Sequence, residues 1–197
     1  MNYSVNSSKN SGRPNETVSK TIQLLNRQLA DTVDLRSQAR QAHFNVRGAH
    51  IQELRSLFDG LARDVRHFAD LLAARITASG GTATATVRFS ANESALRDYP
   101  MDAFDARDHL EALLSSYSRY EWDTRNNIKA LQEIQDFESV RLLQVILGSI
   151  ERSLWFLEAY LEGMAIGLHG RKLPPWTSAF EVANGNGRKR ATSSGVA

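Results

Sequence analysis

The sequence predicts an all-α fold, a four-helix bundle in which two helical hairpins are joined by one long crossover. Four stretches repeat apolar residues every three or four positions, which is the spacing of one helix face. A stretch of about 25 to 30 residues makes a helix roughly 40 Å long. The connection from Gly80 to Met101 has about 20 residues and reaches roughly 65 Å when extended, enough to cross the bundle. The other two connections are short, so the helices they join are expected to be antiparallel neighbours.

The first helix is expected to run from Glu16 to about Asn45, with Asn15 as its N-cap and Gly48 just beyond its end. Its apolar face consists of Val18, Ile22, Leu25, Leu29 and Val33. Residues 1–15 are mostly polar residues, Gly and Pro. So little apolar surface does not offset the entropy lost on ordering, and the sequence therefore predicts a flexible N-terminal arm.

The second helix is expected from His50 to Ser79, where the Gly80-Gly81 pair ends it. Its apolar face consists of Ile51, Leu54, Phe58, Leu61, Val65, Phe68, Leu72 and Ile76. The third helix, from about Asp102 to Ile134, has the weakest apolar stripe because Glu121 falls inside it. Glu121 is therefore expected to be a lone ligand or, more simply, a residue at a helix edge or an interface.

The fourth helix, from Glu138 to about Met164, repeats its apolar residues almost without a break and should be the best buried. Its stripe is Val140, Leu143, Leu147, Ile150, Leu154, Leu157, Leu161 and Met164. Beyond it, residues 166–197 contain Pro174-Pro175 and many Gly, Asn and Ser residues, which predicts a flexible basic C-terminal tail. The bundle itself is thus expected over residues 16–165.

The charge is concentrated at the two ends of the chain. The formal net charge is +2, of which residues 164–197 carry +4 and residues 1–16 carry +1, leaving −3 on the rest. Basic ends on a mildly acidic body suggest contact with a polyanion. There is no cysteine, which excludes disulfides and Cys-ligated metal sites. Without an apolar leader or a stretch of roughly 18 apolar residues, the protein is expected to be soluble and cytoplasmic.

Three motifs resemble the Dps family, the ferritin-like DNA-binding proteins of starved cells. They are AHFNVRG with the helix after it, the crossover segment TATVRFSANESALRDYP, and LWFLEAYLEG in the last helix. The resemblance covers about residues 17 to 165. It implies a ferritin-like bundle that assembles into a dodecameric shell, oxidises Fe²⁺ with hydrogen peroxide, stores the Fe³⁺ mineral and shields DNA within the nucleoid.

The resemblance also implies a ferroxidase centre shared between two subunits. His43 and Asp59 of one subunit and Asp70 of its neighbour occupy ligand positions of the family. A second His position holds Arg55, and a Glu position holds Ala74. Because a guanidinium stays charged and binds no cation, and because Ala74 has no carboxylate, the centre is expected to be weakened.

Other interpretations of this region stay open. Arg55 could simply pair with Asp59 and Asp70 and stabilise an interface. Asp64, His67 and Asp70 are three residues apart on the second helix, so His67 could help to repair the site, although solvation or pairing with Arg63 and Arg66 is the simpler expectation. His50 is expected to cap the helix or lie at the surface.

Two further groups of residues are interpreted through the resemblance. Phe44, Trp155 and Phe156 occupy positions near the family's metal centre or core, and packing explains them first. Asp136 and Glu138 match acidic residues of the pores through which iron enters the shell, whereas Arg141 stands in the place of an Asp. The sequence contains no Glu-x-x-His, so an iron centre inside one bundle is not expected.

Basic residues of the two ends are the candidates for DNA binding. They are Lys9, Arg13, Arg171, Lys172, Arg188, Lys189 and Arg190. Each one that neutralises a phosphate adds affinity without sequence preference, and twelve copies on one shell would act together. The plainer alternative is a tail that only improves solubility.

The sequence therefore predicts a Dps-like subunit that protects DNA and sequesters iron, with a weakened ferroxidase centre. One alternative is a working ferroxidase with a rearranged site. A second alternative is a structural nucleoid protein that does not oxidise iron. In either case the shell could contain this chain alone or mix it with related subunits.

Overall fold

The computed structural model describes residues 12–48 and 50–165, with side chains from residue 16 to residue 164. Five helices occur in these residues, and no strand does. They are α1 (Gly12–Asn45), α2 (Ile51–Ala78), α3 (Val87–Glu93), α4 (Ala106–Glu133) and α5 (Phe137–Ala165). The hairpins α1–α2 and α4–α5 pack together, and the long link between α2 and α4 joins them. The predicted all-α bundle of two hairpins is confirmed.

The helix ends differ from the predicted ones in two places. α1 begins at Gly12, so Asn15 lies inside the helix and is not its N-cap. α4 begins at Ala106 rather than near Asp102, because Asp105 accepts a hydrogen bond from the Asp108 backbone N–H while the Asp108 side chain accepts one from Asp105. This reciprocal cap fixes the first turn of α4.

The crossover contains a short helix, α3, that the sequence did not predict. The Thr86 side chain caps α3 by accepting a hydrogen bond from the Phe89 backbone N–H at 3.3 Å. Where the crossover leaves α2, Gly80 has a φ of +82°, which favours glycine. A Cβ atom on Gly81 would lie 2.8 Å from the Ile22 side chain. The crossover therefore leaves α2 in close contact with α1.

Asp31 of α1 fastens the other end of the crossover. Its carboxylate accepts hydrogen bonds from the Ala95 backbone N–H at 2.8 Å and from Ser94 Oγ at 3.2 Å. Burial raises the pKa of Asp31 to about 6, against the effect of these hydrogen bonds and together with the charges of Asp123 and Asp34. The long link is thus tied to the bundle through a carboxylate that burial destabilises when it is charged.

The core combines apolar contacts with a polar layer between α1 and α4. The largest fully buried side chains include Phe58, Phe68 and Tyr117. Between α1 and α4, Gln28 donates to Thr124 at 2.9 Å, and Thr32 and Tyr120 share a hydrogen bond of 2.7 Å. Because buried polar groups are costly without partners, this layer fixes how the two helices are aligned.

Packing accounts for only one of the three aromatic residues that it was expected to explain. Phe156 is buried, whereas Phe44 is 61% and Trp155 57% exposed on the single chain. Burial within a single chain therefore does not account for Phe44 and Trp155. In the part of the chain that the structure describes, no helix is long and apolar enough to cross a membrane.

Candidate metal centre

The last turn of α1 holds His43 in a defined orientation. Its Nδ1 lies 3.0 Å from the backbone carbonyl oxygen of Arg55, across the α1–α2 hairpin. Because a carbonyl oxygen only accepts, Nδ1 carries the proton and donates it. In a neutral imidazole with this tautomer, the lone pair is on the other ring nitrogen, Nε2, which is the arrangement common among metal-binding histidines. His43 is therefore oriented as a ligand would be.

Asp59 is engaged by two arginines. Arg40 Nη1 lies 3.0 Å from Asp59 Oδ1, and Arg63 Nη2 lies 3.4 Å from Oδ2. Arg55 was expected to be a partner of Asp59, but the partners are Arg40 from α1 and Arg63 from the next turn of α2. Within the described residues, the Arg55 side chain makes no ion pair. A cation at Asp59 would have to compete with two guanidinium groups for this carboxylate.

Asp70 lies farther along α2. It is exposed, as is Ala74 one turn later, and eleven residues separate it from Asp59, about 16 Å along the helix axis. Asp70 of the same chain therefore does not meet His43 and Asp59. In the described residues, no three His, Asp, Glu or Cys side chains lie close enough together to hold a metal ion.

The proposed repair by Asp64, His67 and Asp70 does not form within one chain. Asp64 is buried, with only 6% of its surface exposed. His67 is half-buried, and Asp70 is exposed. Positions three apart turn by about 300°, so two such steps carry Asp70 well away from the direction of Asp64. Arg63 pairs with Asp59 instead of joining this group.

The two acidic residues assigned to the iron pore have local partners. Asp136 accepts hydrogen bonds from Arg75 Nη2 at 2.7 Å, Ser139 Oγ at 2.7 Å and Thr21 Oγ1 at 3.0 Å. Burial opposes its ionisation, but these donors hold the pKa of Asp136 below its usual value. It thus caps α5 and joins it to α1 and α2. Glu138 is exposed and lies 3.4 Å from Arg141.

The remaining site predictions fall into two groups. Glu121 lies at a helix edge, paired with Arg125, which also contacts Glu151 of α5. His50 occupies the N-cap position of α2 with a φ of 60°, but its side chain makes no capping hydrogen bond. The seven basic residues predicted to bind DNA are not tested, because six lie outside the described residues and Arg13 is described only as part of the α1 backbone. The six are Lys9, Arg171, Lys172, Arg188, Lys189 and Arg190.

Arg40 is the site residue that the sequence did not indicate. Arg63 follows Asp59 by four residues, and that spacing is a signal for a pair on one helix face. Arg40 reaches Asp59 from another helix, and its guanidinium also lies 4.4 Å from the centre of the Phe44 ring. No spacing in the sequence predicts such a contact, because it depends on how α1 and α2 are aligned.

The chain matches known proteins over most of its length. Residues 22–166 match the ferritin-like domain family. The DNA protection during starvation protein of Agrobacterium fabrum is 30% identical over 149 residues, which cover 76% of this chain and 92% of that protein. The protein of the same name from Mycolicibacterium smegmatis is 30% identical over 151 residues, covering 77% and 82%.

Solved structures agree with this assignment. A mutant of Dps1 from Mycobacterium smegmatis has a TM-score of 0.70 and 29% identity, covering 74% of this chain and 97% of that one. Dps from Microbacterium arborescens, in its high iron form, has a TM-score of 0.70 and 26% identity, covering 75% and 95%. With the fold, the ordered motifs and these relatives in agreement, the chain belongs to the Dps family of ferritin-like proteins.

Proposed function

We propose that this chain is a subunit of a Dps-type shell that protects DNA and encloses iron, with a ferroxidase centre of reduced activity. The proposal rests on which residues occupy the ligand positions and on what these residues contact. His43 keeps a metal-competent orientation, whereas Asp59 is bound by Arg40 and Arg63. Together with Arg55 in place of a second histidine, this leaves too few free ligands for tight binding of Fe²⁺.

Exposed apolar residues support an assembly in which the site lies between subunits. Phe44 follows His43 directly and is 61% exposed, although its side chain is large and apolar. A neighbouring subunit would cover this ring and bring its own Asp70 toward His43 and Asp59. Ferrous iron, the substrate, would then meet one imidazole and two carboxylates.

The chemistry of the substrate explains why the altered positions matter. Reduction of one hydrogen peroxide to water takes two electrons, and each Fe²⁺ gives one when it becomes Fe³⁺. Two ferrous ions held side by side supply both electrons at once. Ala74 lacks the carboxylate that would bridge a second ion, and the fixed charge of Arg55 repels one. We therefore expect slow oxidation, because a second Fe²⁺ must arrive and supply the second electron before one hydrogen peroxide is reduced to water.

Stopped-flow absorbance tests this proposal. The wild-type chain is mixed with Fe²⁺ and hydrogen peroxide beside the double variant Arg55→His plus Ala74→Glu. We expect the double variant to oxidise Fe²⁺ at least roughly tenfold faster, the equivalent of 1.4 kcal/mol of barrier. A wild-type rate equal to that of the variant contradicts the reduced centre, and light scattering of both samples checks that their shells are the same.

A second candidate, a working ferroxidase with a rearranged site, is favoured by the orientation of His43. If His43 Nε2 binds iron that is oxidised efficiently, His43→Ala removes a substantial wild-type rate. If the chain is a structural nucleoid protein, the wild-type rate equals that of buffer. Native mass spectrometry after co-expression with a related subunit distinguishes pure shells from mixed ones.

DNA protection is proposed to depend on the basic ends. A gel-shift series in rising salt compares the full chain with a variant lacking residues 186–197. We expect the variant to bind DNA more weakly and to lose affinity less steeply with salt, because fewer counterions are released. Equal affinity of the two proteins excludes this segment as a DNA contact.

A further inference from the structure

The two halves of the crossover are tied to α1 by different kinds of side chain. In the half next to α2, the Asn26 amide oxygen accepts hydrogen bonds from the Thr84 backbone N–H at 2.9 Å and from Thr84 Oγ1 at 2.8 Å. In the half next to α4, the carboxylates of Asp31 and Asp34 accept hydrogen bonds from Ser94. A carboxylate can bind a proton, whereas an amide does not titrate, so only the second tie can respond to pH.

One hydroxyl group lies between the two carboxylates. Ser94 Oγ is 2.7 Å from Asp34 Oδ2 and 3.2 Å from Asp31 Oδ1. A serine hydroxyl carries one hydrogen, so it donates to only one of these oxygens at a time. A proton on the Asp31 carboxyl would supply the second donor, because Asp31 could then donate to Ser94 Oγ while Ser94 donates to Asp34. These three residues, called here the Ser94 cluster, are thus arranged to bind one proton.

Asp31 is the member of the cluster in which a charge is least favourable. It is only 5% exposed, whereas Asp34 is half-buried. Burial raises the pKa of the Asp31 carboxyl to about 6, in the same direction as the charges of Asp123 and Asp34 and against the hydrogen bonds from Ala95 and Ser94. A neighbouring subunit that covered this region would bury the carboxyl further and act in the same direction.

Two further groups of α4 act on Asp31. Arg119 lies 2.6 Å from Asp123, which compensates its charge. Tyr120 is fully buried, and burial raises the pKa of its hydroxyl to about 12. Neither of these two groups changes its charge between pH 5 and pH 7. A change in the cluster over this range is therefore assigned to Asp31.

We propose that the Ser94 cluster is a pH-sensitive contact, which fixes residues 94–96 to α1 when it has bound a proton and lets them detach more often when it has not. On detachment Asp31 would meet water and regain its ordinary pKa of 3.8. Because the pKa is higher in the attached state, the proton stabilises that state, fully below about pH 3.8 and no longer above about pH 6. The inference concerns contacts within one chain and goes beyond the proposed function.

The groups on either side of this stretch are not expected to give the same response. Gln38 Nε2 donates to the Arg97 backbone carbonyl oxygen at 3.0 Å, and this amide does not titrate. Glu93 and Arg97 flank the stretch, but both are exposed, where solvent and salt screen their charges. The pH response is therefore expected in residues 94–96 and not across the whole crossover.

Hydrogen–deuterium exchange of the full chain at pH 5 and pH 7 tests the proposal. Mass spectrometry gives the exchange rate of residues 94–96, and division by the rate of an unstructured peptide at the same pH gives a protection factor. We expect this factor to be roughly tenfold higher at pH 5, the change that follows from a pKa of about 6 when attached and 3.8 when detached. Residues 82–86, tied by Asn26, should change by less than about twofold, because an amide does not titrate.

Two variants show whether Asp31 is responsible. Asp31→Asn keeps an acceptor for the Ala95 N–H but removes the titrating group, so residues 94–96 should be as protected at pH 7 as at pH 5. Glu93→Gln removes an acidic charge one residue before Ser94 and should keep the wild-type response. Equal protection of wild-type residues 94–96 at the two pH values, or a pH response that survives in Asp31→Asn, overturns the proposal. Neither result affects the tests of iron oxidation and DNA binding.

Discussion

Two aspartates that pair with arginines, Asp136 and Asp59, differ in how completely they are enclosed. Arg75 donates to Asp136 at 2.7 Å, the carboxylate side chain is only 12% exposed, and Ser139 and Thr21 also donate to it. Asp59 is 43% exposed, and its partners among the described residues are the guanidinium groups of Arg40 and Arg63. One aspartate has several kinds of donor, and the other has only arginines.

This difference separates a pair that holds the fold together, Arg75–Asp136, from a carboxylate of the candidate site, Asp59. The Arg75–Asp136 pair is balanced in charge, and with Thr21 and Ser139 it joins α1, α2 and the start of α5, so it holds these helices together. At Asp59, two guanidinium groups face one carboxylate that is 43% exposed on the single chain. Ion pairs this exposed contribute little to the stability of the fold.

The largest expected effect follows from opening the enclosed pair. Asp136→Ala should lower the free energy of unfolding by roughly 3 kcal/mol, because Arg75 would stay partly buried without its anion and α5 would lose its cap. Asp59→Ala is the matched control and should cost less than about 1 kcal/mol. Urea unfolding measures both, and equal losses would remove the distinction between the two pairs.

A second prediction concerns the pH dependence of Asp31. In the folded chain its pKa is about 6, above the ordinary 3.8, so the folded state binds the proton more tightly. The free energy of unfolding should therefore rise as the pH falls from 7 through 6. This rise should end near pH 3.8, the ordinary pKa of the aspartate side chain. Asp136, whose pKa is lowered, acts in the opposite direction and only at more acidic pH.

The variant Asp31→Asn isolates this contribution. At pH 7 it should raise the free energy of unfolding by about 1 to 2 kcal/mol, because the uncharged amide still accepts the hydrogen bond from Ala95 without the cost of burying a charge. Thermal unfolding at pH 7 and pH 5 measures the effect. If wild type and Asp31→Asn respond equally to pH, another group is responsible.

Sequence patterns were sufficient for the bundle but not for its connections. The regular stripes of α2 and α5 predicted their bounds to within about two residues, since a repeating apolar face dictates a helix. The helix α3 was missed because it has only seven residues, too few for a periodic signal. Its stability comes from the Thr86 cap and from packing on α1, neither of which is periodic.

The site was predictable only in part, for a similar reason. Positions such as His43 and Asp59 were identified from a local motif, and the structure places them on α1 and α2, while their role as ligands stays a prediction. The partner Arg40 was not, because its contact with Asp59 depends on the alignment of two helices. The exposure of Phe44 and Trp155 was also not predicted, because the residue type alone does not show whether an aromatic side chain on a helix faces the core or the surface.

The smallest effect on stability is expected for a substitution of Arg40. The same variant tests whether the Arg40–Asp59 pair limits metal binding. Arg40→Gln removes a guanidinium from Asp59 and from the Phe44 ring, but both contacts are partly exposed, so the free energy of unfolding should change by less than about 1 kcal/mol. Fe²⁺ binding should increase severalfold, because a competing cation leaves Asp59 while His43 keeps its orientation. Equilibrium binding of Fe²⁺ under anaerobic conditions measures this, with Arg66→Gln as the control of equal charge. If both variants bind Fe²⁺ equally well, the gain reflects net charge, and occupation of Asp59 by Arg40 is not what limits the metal.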